Sequence, residues 1–524
     1  WIGMLSTTLQ CCLHLHLCLG IGMSSQIGGT GDAVCKPGPS EAVRHVKTLI
    51  EQRVLLTPFS SDSLCTLDYL AALMEVSSPA CANTKSQEAE FACTVTEEYA
   101  NLYGRSESVQ EACTRLKEVS RGEPIKHAVF VLLDGYGWNL LKAFSNLKRS
   151  LSSKSFIAEH AEGRPPARTV FPATTAAALS AYGSLRLPAH HAQWGWRVRL
   201  AKNGQVVQPL AGDFTFSESL GEDDVFKFSS VYPRLATDEG RQVCCFSAYD
   251  GSPFSDRMCG KDTPHVFNGE MSIGDAIPAL RTHWASADEN EKSTFAYVYS
   301  ANPDKVEHAC GPFDAEDSTV ISPGVLESIE QLDEQMRDLC EETQPRKHKR
   351  MILMMADHGQ YNVQKYVTLP RNLRAMFETM TVEPATPSFH LKPSTTPEEF
   401  RAAWEAAGLS SYWQLLDQEE LLATGLLGPE LSPEARETLG DLTGIALGSY
   451  LLELESEEGP GLAQQLWGMV KSKGVLGTVS GLWEMRGLLW KLKGAITKGK
   501  YHHSGHHGGA QQCEVEVPVF VWAD

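Results

Sequence analysis

The sequence predicts an α/β protein whose mainly parallel sheet is sandwiched by helices. Three short, continuously apolar runs each lead into an aspartate: "HAVFVLLDGYG", "TFAYVYSANPD" and "RMILMMADHGQ". Such runs are typical of strands that are buried on both faces of a parallel sheet. Helical patterns such as "GVLESIEQLDEQMRDLCEE" separate them, and "CEVEVPVFVWAD" predicts a further strand near the chain end. Strands and helices that alternate in this way indicate a sheet covered on both faces.

Composition and charge narrow the classes of function. The chain has 524 residues, of which 42% are hydrophobic and 21% charged, and its formal net charge is −19. These fractions are typical of a soluble globular protein. A strongly acidic surface repels nucleic acid, so we expect no nucleic-acid polymer as partner. A small anionic substrate remains compatible with this charge, because bound metal ions can dominate the local field.

Changes in composition and in the hydrophobic pattern divide the chain into six parts. The patterns "SEAVRHVKTLIEQRVL" and "VQEACTRLKEVSRG" predict an extra helical region before the core, and "TPEEFRAAWEAAG" predicts helix in an insert. The parts are a disordered tail or leader at residues 1–39, a helical N-terminal region at 40–122, the catalytic α/β core at 123–370, an inserted cap subdomain at 371–460, a basic tryptophan-containing insert at 461–500, and a histidine-rich stretch with the final core strand at 501–524.

Two of these parts contain features that relate to the cellular location of the protein. Residues 1–31 contain no charged side chain apart from histidine, and the basic start of a secretory leader is missing. This favours a tail over a leader, and a cytoplasmic protein over a secreted one. Residues 461–500 hold seven Lys or Arg and one Glu. They fit a membrane-surface helix or a lid packed on the body, and their recurrent glycines favour the lid.

The three aspartates at the predicted strand ends are Asp134, Asp304 and Asp357. One aspartate in such a position is usually a turn or capping residue. In open parallel sheets, however, ligands bind just beyond the carboxyl ends of the strands. Three carboxylates at three such ends therefore predict a shared site.

Histidines near these aspartates indicate a metal site. Asp304 and His308 are four residues apart and face the same way if a helix begins there. Asp357 is followed directly by His358, and "YHHSGHHGG" adds four more histidines. Carboxylate and imidazole ligands together suit zinc, with manganese or iron as alternatives.

Five motifs in order resemble a known family. "LLDGYGW", "FPATTAAALSAYGSLRLPAHHAQWGW", "ANPDKVEHACGP", "MADHGQ" and "HHGGAQQCEVEVPVF" are similar to the type I phosphodiesterase/nucleotide pyrophosphatase family of the alkaline phosphatase superfamily, nearest to its soluble microbial-type members. The resemblance covers roughly residues 124–370 and 500–524. It implies an alkaline-phosphatase-like sheet and a hydrolase that cleaves phosphodiester or phosphoanhydride bonds.

The resemblance also implies two zinc ions and a threonine nucleophile that forms a phosphothreonyl intermediate. The ligands it implies for the first ion are Asp134, Thr175, Asp357 and His358, and those for the second are Asp304, His308 and His507. His507 heads "HGG" seven residues before Glu514, which is the spacing of the family. His502, His503 and His506 remain alternatives to it.

The family spacing also separates two adjacent threonines. Counting back 13 residues from Pro188 gives Thr175, and His191 follows three residues after that proline. Thr174 is then a helix cap or a group behind the nucleophile. At Ala178 the chain departs from many eukaryotic relatives, which have a phosphate-binding asparagine there.

Substrate specificity is left open by the sequence. The aromatic residues Tyr136, Trp138 and Trp196 are candidates for stacking on a base, and each also fits a packing role. One alternative function is a phosphomonoesterase, or a phosphonate or sulfate-ester hydrolase, of the same superfamily. Another, from a different class, is a non-catalytic metal-binding relative.

Overall fold

The secondary structure of the protein is defined by a computed structural model. It describes residues 40–454, apart from 61, 80–91, 213–219, 248–251, 262, 264, 268–271 and 342–347, together with residues 502–524. The strands are β1 (His127–Leu133), β2 (Ala167–Arg168), β3 (Val198–Arg199), β4 (Val206–Val207), β5 (Gln242–Ser247), β6 (His265–Phe267), β7 (Thr294–Ser300), β8 (Arg350–Ala356), β9 (Tyr361–Asn362), β10 (Lys365–Leu369), β11 (Phe377–Val382), β12 (Pro387–Leu391), β13 (Trp413–Leu416), β14 (Leu442–Ala446), β15 (Tyr450–Leu454), β16 (Gly505–His506), β17 (Glu516–Val517) and β18 (Phe520–Ala523).

Helices lie between most of these strands. They are α1 (Glu41–Glu51), α2 (Thr66–Val76), α3 (Thr94–Tyr103), α4 (Ser106–Val119), α5 (Trp138–Ser150), α6 (Phe156–Ala161), α7 (Thr175–Ser184), α8 (Pro188–His191), α9 (Glu222–Val225), α10 (Tyr232–Glu239), α11 (Pro253–Cys259), α12 (Ile273–Glu289), α13 (Asp304–Cys310), α14 (Pro323–Cys340), α15 (Arg371–Arg374), α16 (Pro397–Ala406), α17 (Gln418–Thr424), α18 (Pro433–Thr438) and α19 (Gln512–Val515).

The central sheet has the strand order β18-β8-β1-β7-β5-β6. All its pairings are parallel except that of β18, which runs antiparallel to β8 at the edge. Every residue of β1, β7 and β8 is buried, as their continuously apolar sequences require. The prediction of a mainly parallel sheet is confirmed. β5 and β6 extend the sheet beyond the predicted strands.

Helices flank this sheet. Among them, α12 contacts β7 and packs against α14, α2 contacts β1, and α6 contacts β18. The residues at these contacts form one continuous apolar core that includes the three central strands. The chain therefore has the α/β fold class that its sequence predicts.

The N-terminal helices are part of the body of the protein. All of α2 is buried, and it packs against α4, β1 and α7. Within it, the buried carboxylate of Asp68 accepts hydrogen bonds from the Tyr99 hydroxyl at 2.9 Å and from Arg105 Nε at 3.1 Å. Because a buried charge is costly unless it is paired, this network fixes α2 against α3 and α4.

The region predicted as a cap subdomain contains a sheet as well as helices. The helical pattern at "TPEEFRAAWEAAG" corresponds to α16, and α17 is a further helix of this region. Beside them lies a four-stranded antiparallel sheet of order β11-β12-β14-β13, which the sequence analysis does not predict. A separate apolar cluster with Phe377, Phe389, Phe400, Trp404 and Trp413 stabilises it.

Residues Ser40–Asp524 form one compact unit. Within the described ranges, no helix combines the length and apolar character that a membrane span requires. The tail or leader at 1–39 and the basic insert at 461–500 lie outside the described residues.

Candidate active site

The three strand-end aspartates converge at one edge of the central sheet. Leu133 of β1 is in register with Ser300 of β7 and Ala356 of β8, so the three strands end at the same level. The amide of Asp304 donates to the Asp134 carbonyl at 3.0 Å, and the Gly135 amide donates to Asp357 Oδ1, also at 3.0 Å. The loops after β1, β7 and β8 are thereby joined.

Gly135 allows this convergence. Its φ is +81°, a left-handed conformation that favours glycine. A Cβ atom at this position would lie 2.9 Å from Glu307 Oε2 and 3.0 Å from the Cα of Asp304. Any side chain here would push the loop after β1 away from α13.

Thr175 begins the buried helix α7 at the same place. Its hydroxyl oxygen is 3.1 Å from His358 Nε2 and 3.4 Å from Asp134 Oδ1. The first N–H groups of any helix lack carbonyl partners within that helix, and together they attract anions. The hydroxyl and an anion-binding helix start therefore lie beside the carboxylates and the imidazole.

Two sets of side chains in the described part of the chain could each hold a metal ion. In each set, the ligand atoms all lie within 4.8 Å of one another. The strand-end set is Asp134, Asp304 and His358, and the loop set is Asp304, His308 and His507. Asp304 belongs to both, so the two sets are adjacent.

The hydrogen bonds of the histidines assign their tautomers. His308, His358 and His507 each direct Nδ1 toward a backbone carbonyl. These acceptors are Gly505, Gly359 and Ala173, at 3.0, 3.2 and 3.2 Å respectively. A proton on Nδ1 leaves a lone pair on Nε2, which is the form that binds metal.

Each of these Nε2 atoms faces a carboxylate oxygen. His358 Nε2 is 3.4 Å from Asp134 Oδ1, and His308 and His507 Nε2 are 3.3 Å and 3.5 Å from Asp304 Oδ1. Two acceptors at this distance repel each other unless a proton or a metal ion lies between them. The donor set therefore fits divalent metal ions.

The pKa values of the side chains in this site, in the absence of a cation, also fit metal binding. Burial, reinforced by repulsion among the carboxylates, raises the pKa of Asp134, Asp304 and Asp357 well above the usual range. Burial lowers the pKa of His358 to about 3. Among the described residues, Asp357 Oδ2 has no hydrogen-bond partner. Positive charge from a metal would compensate each of these features.

Of the four clustered histidines, the described metal-binding sets include only His507. His502 stacks on Tyr366 with ring centroids 3.9 Å apart. His506 Nδ1 accepts from the backbone N–H of His507 at 2.8 Å. The ring of His503 lies 4.6 Å from that of His308, beside the loop set.

Two residues that the sequence analysis does not select hold the aspartates in place. The Tyr299 hydroxyl donates a short hydrogen bond to Asp134 Oδ2. The side-chain amide of Gln360 donates a short one to Asp304 Oδ1. Both residues lie within the strand-end runs quoted in the sequence analysis. Gln360 follows Asp357 by three residues, and this closeness to a strand-end aspartate is the feature by which the sequence could have identified it.

Glu383 is a further buried residue missed by the sequence analysis. It follows β11 and accepts hydrogen bonds through Oε1 from the Thr174 hydroxyl and the Trp196 backbone N–H, both at 2.8 Å. Burial raises its pKa to about 7. Thr174 is the N-cap residue of α7, but its hydroxyl bonds to Glu383 and does not cap the helix.

The aromatic candidates differ in exposure. Tyr136 is fully buried in the core, and Trp138 packs partly against the same core. Trp196 keeps 39% of its surface exposed. Ala178, in the place of the asparagine of some relatives, is also fully buried.

Comparison with known proteins defines the relationships of the chain. No curated protein matches its sequence significantly. Among solved structures, murine ectonucleotide pyrophosphatase/phosphodiesterase 5 has a TM-score of 0.50 at 13% identity, over 75% of this chain and 87% of that one. Phosphonoacetate hydrolase from Sinorhizobium meliloti has a TM-score of 0.47 at 16% identity, over 75% and 89%.

The family assignment comes from the sequence profile. The profile of the type I phosphodiesterase / nucleotide pyrophosphatase family matches residues 128–423, which is more than half of the chain. The matched range includes β1, β7, β8 and α7, the elements that carry the strand-end set and Thr175. The chain belongs to the type I phosphodiesterase / nucleotide pyrophosphatase family of phosphoester hydrolases.

Proposed function

We propose that the protein hydrolyses phosphodiester or phosphoanhydride bonds of a small substrate, with Thr175 as nucleophile and two zinc ions as cofactors. One observation carries this proposal: the Thr175 hydroxyl lies 3.1 Å from His358 Nε2 and 3.4 Å from Asp134 Oδ1, at the start of a buried helix. A threonine that served only as the first residue of a helix would need none of this polar surrounding.

Six side chains besides Thr175 would hold the metals. Asp134, Asp357 and His358, together with Thr175, would bind one ion, and Asp304, His308 and His507 the other. Asp357 is in neither of the two sets described above; we include it because its Oδ2 lies 3.4 Å from His358 Nε2. Carboxylate and neutral imidazole ligands suit zinc, with manganese or iron as alternatives. When bound, such ions lower the pKa of a coordinated hydroxyl and neutralise phosphoryl oxygens.

The residues of the chain supply position and polarity. Threonine is a weak nucleophile near neutral pH, so its oxygen must be held as an alkoxide against the phosphorus. The N–H groups at the start of α7 would bind the phosphoryl oxygens as they gain charge. Tyr299 and Gln360 keep the carboxylates of Asp134 and Asp304 oriented.

The reaction then has two displacements. In the first, Thr175 Oγ forms a bond to phosphorus, the bond to the leaving oxygen breaks, and the hydroxyl proton passes to solvent. Solvent protonates an alcohol leaving group. In the second, water attacks the phosphothreonyl phosphorus, the bond to Oγ breaks, and phosphate or its monoester departs with Thr175 restored.

A solved relative supports the nucleotide class of substrate. Murine ectonucleotide pyrophosphatase/phosphodiesterase 5 has been determined as an inactive threonine-to-alanine variant in complex with AMP. In the present chain, the exposed Trp196 is linked through Glu383 to Thr174, beside the proposed nucleophile. We propose that its indole forms the apolar edge on which a base or another flat leaving group packs.

The decisive experiment combines a substrate panel with one variant. We expect metal-loaded protein to hydrolyse bis-p-nitrophenyl phosphate faster than p-nitrophenyl phosphate, a phosphonate or a sulfate ester. Thr175→Ala should abolish turnover, and Thr175→Ser should retain part of it. A preference for the monoester, phosphonate or sulfate would assign the alternative hydrolase classes. Equal inertness of wild type and variants on every ester would indicate the non-catalytic metal-binding relative.

A further inference from the structure

A fully buried carboxylate, that of Glu514, lies seven residues beyond His507 and belongs to neither metal-binding set. It is part of the short helix α19, which precedes the last two strands. Removing a charged side chain from water is costly unless the protein replaces the hydrogen bonds that it loses. The hydrogen bonds of Glu514 therefore indicate what its burial stabilises.

The Glu514 carboxylate binds the backbone of the loop that carries His507. Its Oε1 accepts a hydrogen bond from the Gly509 N–H at 2.7 Å, and its Oε2 accepts one from the Gln511 N–H at 3.0 Å. Hydrogen bonds to an ionised acceptor are roughly twice as strong as those between neutral groups. On the other side of the loop, β16 pairs with β9 through two residue pairs. Glu514 therefore fixes the loop on the side beyond His507.

Gly509 allows the carboxylate to approach the backbone this closely. A Cβ atom at position 509 would lie 2.7 Å from Glu514 Oε2 and 3.2 Å from its Oε1. The first distance is well below van der Waals contact. Any side chain at position 509 would therefore displace the carboxylate from its two donors.

The loop held by Glu514 is also bonded to the segment that leads into Thr175. The Ala173 N–H donates to the Gly509 carbonyl at 3.1 Å, and His507 Nδ1 lies 3.2 Å from the Ala173 carbonyl oxygen. Ala173 precedes Thr175 by two residues. A shift of this loop would therefore move His507 and disturb the start of α7.

The backbone of Glu514 contacts the strand-end set as well. The Gly359 N–H donates to the Glu514 carbonyl at 2.8 Å, and Gly359 directly follows His358. The rings of His358 and His507 stack, with centroids 3.6 Å apart. Because the side chain of Glu514 binds one loop and its carbonyl binds the other, the residue joins the two loops that carry these histidines.

We infer that Glu514 is a positioning residue that fixes His507 relative to His358 and Thr175, and thereby keeps the two proposed zinc sites together. The inference rests on the proposed function, since it concerns the same metal ions. Glu514 touches neither a metal-binding side chain set nor the nucleophile through its carboxylate, so its effect passes through the backbone of the loop. Groups that orient metal ligands typically contribute 10–100-fold to metal affinity.

The test compares Glu514→Gln and Gly509→Ala with wild type, using the full-length protein. Glutamine keeps the shape of the side chain, but its amide nitrogen cannot accept the second hydrogen bond. Alanine at 509 displaces the carboxylate from the opposite side of the contact. In both variants we expect the dissociation constant of the more weakly bound zinc ion, measured by chelator competition, to rise by about tenfold or more. Saturating zinc should restore most of kcat for bis-p-nitrophenyl phosphate, with KM unchanged.

Glu516→Gln is the matched control. Glu516 is a second buried glutamate of the same segment, and its Oε2 accepts a hydrogen bond from the Gln512 side chain at 2.9 Å. This control should bind zinc as wild type does. The inference stands only if both variants bind zinc more weakly and the control does not.

The same measurement separates this inference from the proposed function. If wild type binds two zinc ions and the variants bind them equally well, even with a lower melting temperature, Glu514 has a purely structural role and this inference alone is overturned. If wild type binds no zinc, the two-zinc proposal fails and this inference fails with it.

Discussion

The strand-end set and the loop set share Asp304 but are built in different ways. Asp134, Asp304 and His358 follow three adjacent strands that are in register and buried along their whole length. In the loop set, His507 follows the two-residue strand β16, which pairs with β9 only through Gly505 and His506. His308 also keeps 21% of its side chain exposed.

This difference predicts unequal metal binding. Ligands held by long parallel pairings are preorganised, whereas ligands on a short pairing can separate at lower cost. We therefore expect the loop set to release its ion first, and the strand-end set to tolerate substitution least. The predictions below test that order.

The largest effect is expected from Asp134→Asn. The change preserves shape but removes the charge that faces both Thr175 and His358. We expect hydrolysis to fall by more than the roughly 10–100-fold typical of residues that only orient a metal ligand. Added zinc should not restore it. Rescue by zinc in a steady-state assay would place Asp134 outside the essential ligands.

His507→Ala should reduce hydrolysis by about 100-fold at limiting metal, and excess metal should restore part of it. Elemental analysis should find one ion in place of two. His506→Ala is the matched control, because its neighbouring ring is outside both sets. If His506→Ala lost metal and His507→Ala did not, the assignment within the histidine cluster would be reversed.

Metal removal should lower the melting temperature, and more so at higher pH. Ions at about 100 times their Kd add ~2.7 kcal/mol to folding stability. The pKa of Asp134, Asp304 and Asp357 is raised above the unfolded value of 3.8, so the unfolded chain loses protons first as pH rises. These carboxylates therefore cost the metal-free protein stability as pH rises above about 4. The lowered pKa of the buried histidines acts in the opposite sense up to their unfolded value of 6.5, so we expect the net loss above about pH 6.5.

Calorimetry at pH 7 and pH 8, with and without chelator, measures this. The difference in melting temperature between metal-loaded and chelated protein should be larger at pH 8. A constant difference would mean that the buried carboxylates do not depend on metal for their charge.

Glu383→Ala should lower kcat by about tenfold with little change in KM, because Thr174 and the Trp196 amide lose their shared acceptor and the start of α7 shifts. Glu383→Gln keeps a carbonyl oxygen at that position and should retain most activity. If Glu383→Gln lost as much activity as Glu383→Ala, the site would require the negative charge of Glu383 and not only a hydrogen-bond acceptor at its position.

The smallest effect is expected from Trp196→Ala. We expect KM for a nucleotide diester to rise about fivefold, with kcat unchanged, since base stacking contributes roughly 1 kcal/mol or somewhat more. For bis-methyl phosphate, which has no ring, KM should not change. A similar rise with both substrates would assign the indole a packing role.

The central sheet and its strand-end aspartates could be predicted from the sequence, because continuous apolar runs and strand-end carboxylates are local signals. The choice of Thr175 over Thr174 needed a family spacing, since both threonines precede the same alanines. Glu383 had no local signal: its partner Thr174 is 209 residues away, and only the folded chain brings them together. The antiparallel sheet of the cap region could not be predicted from local patterns either, because strongly helical segments lie between its strands along the chain.

The contact between Glu383 and Thr174 has a consequence for protein engineering. A fragment cut down to the central sheet and its helices would keep every proposed metal ligand. It would nevertheless leave the Thr174 hydroxyl and the Trp196 amide without their acceptor, directly beside Thr175. Exchange of the insert between relatives should therefore transfer full activity only when the donor brings an oxygen acceptor to the same place.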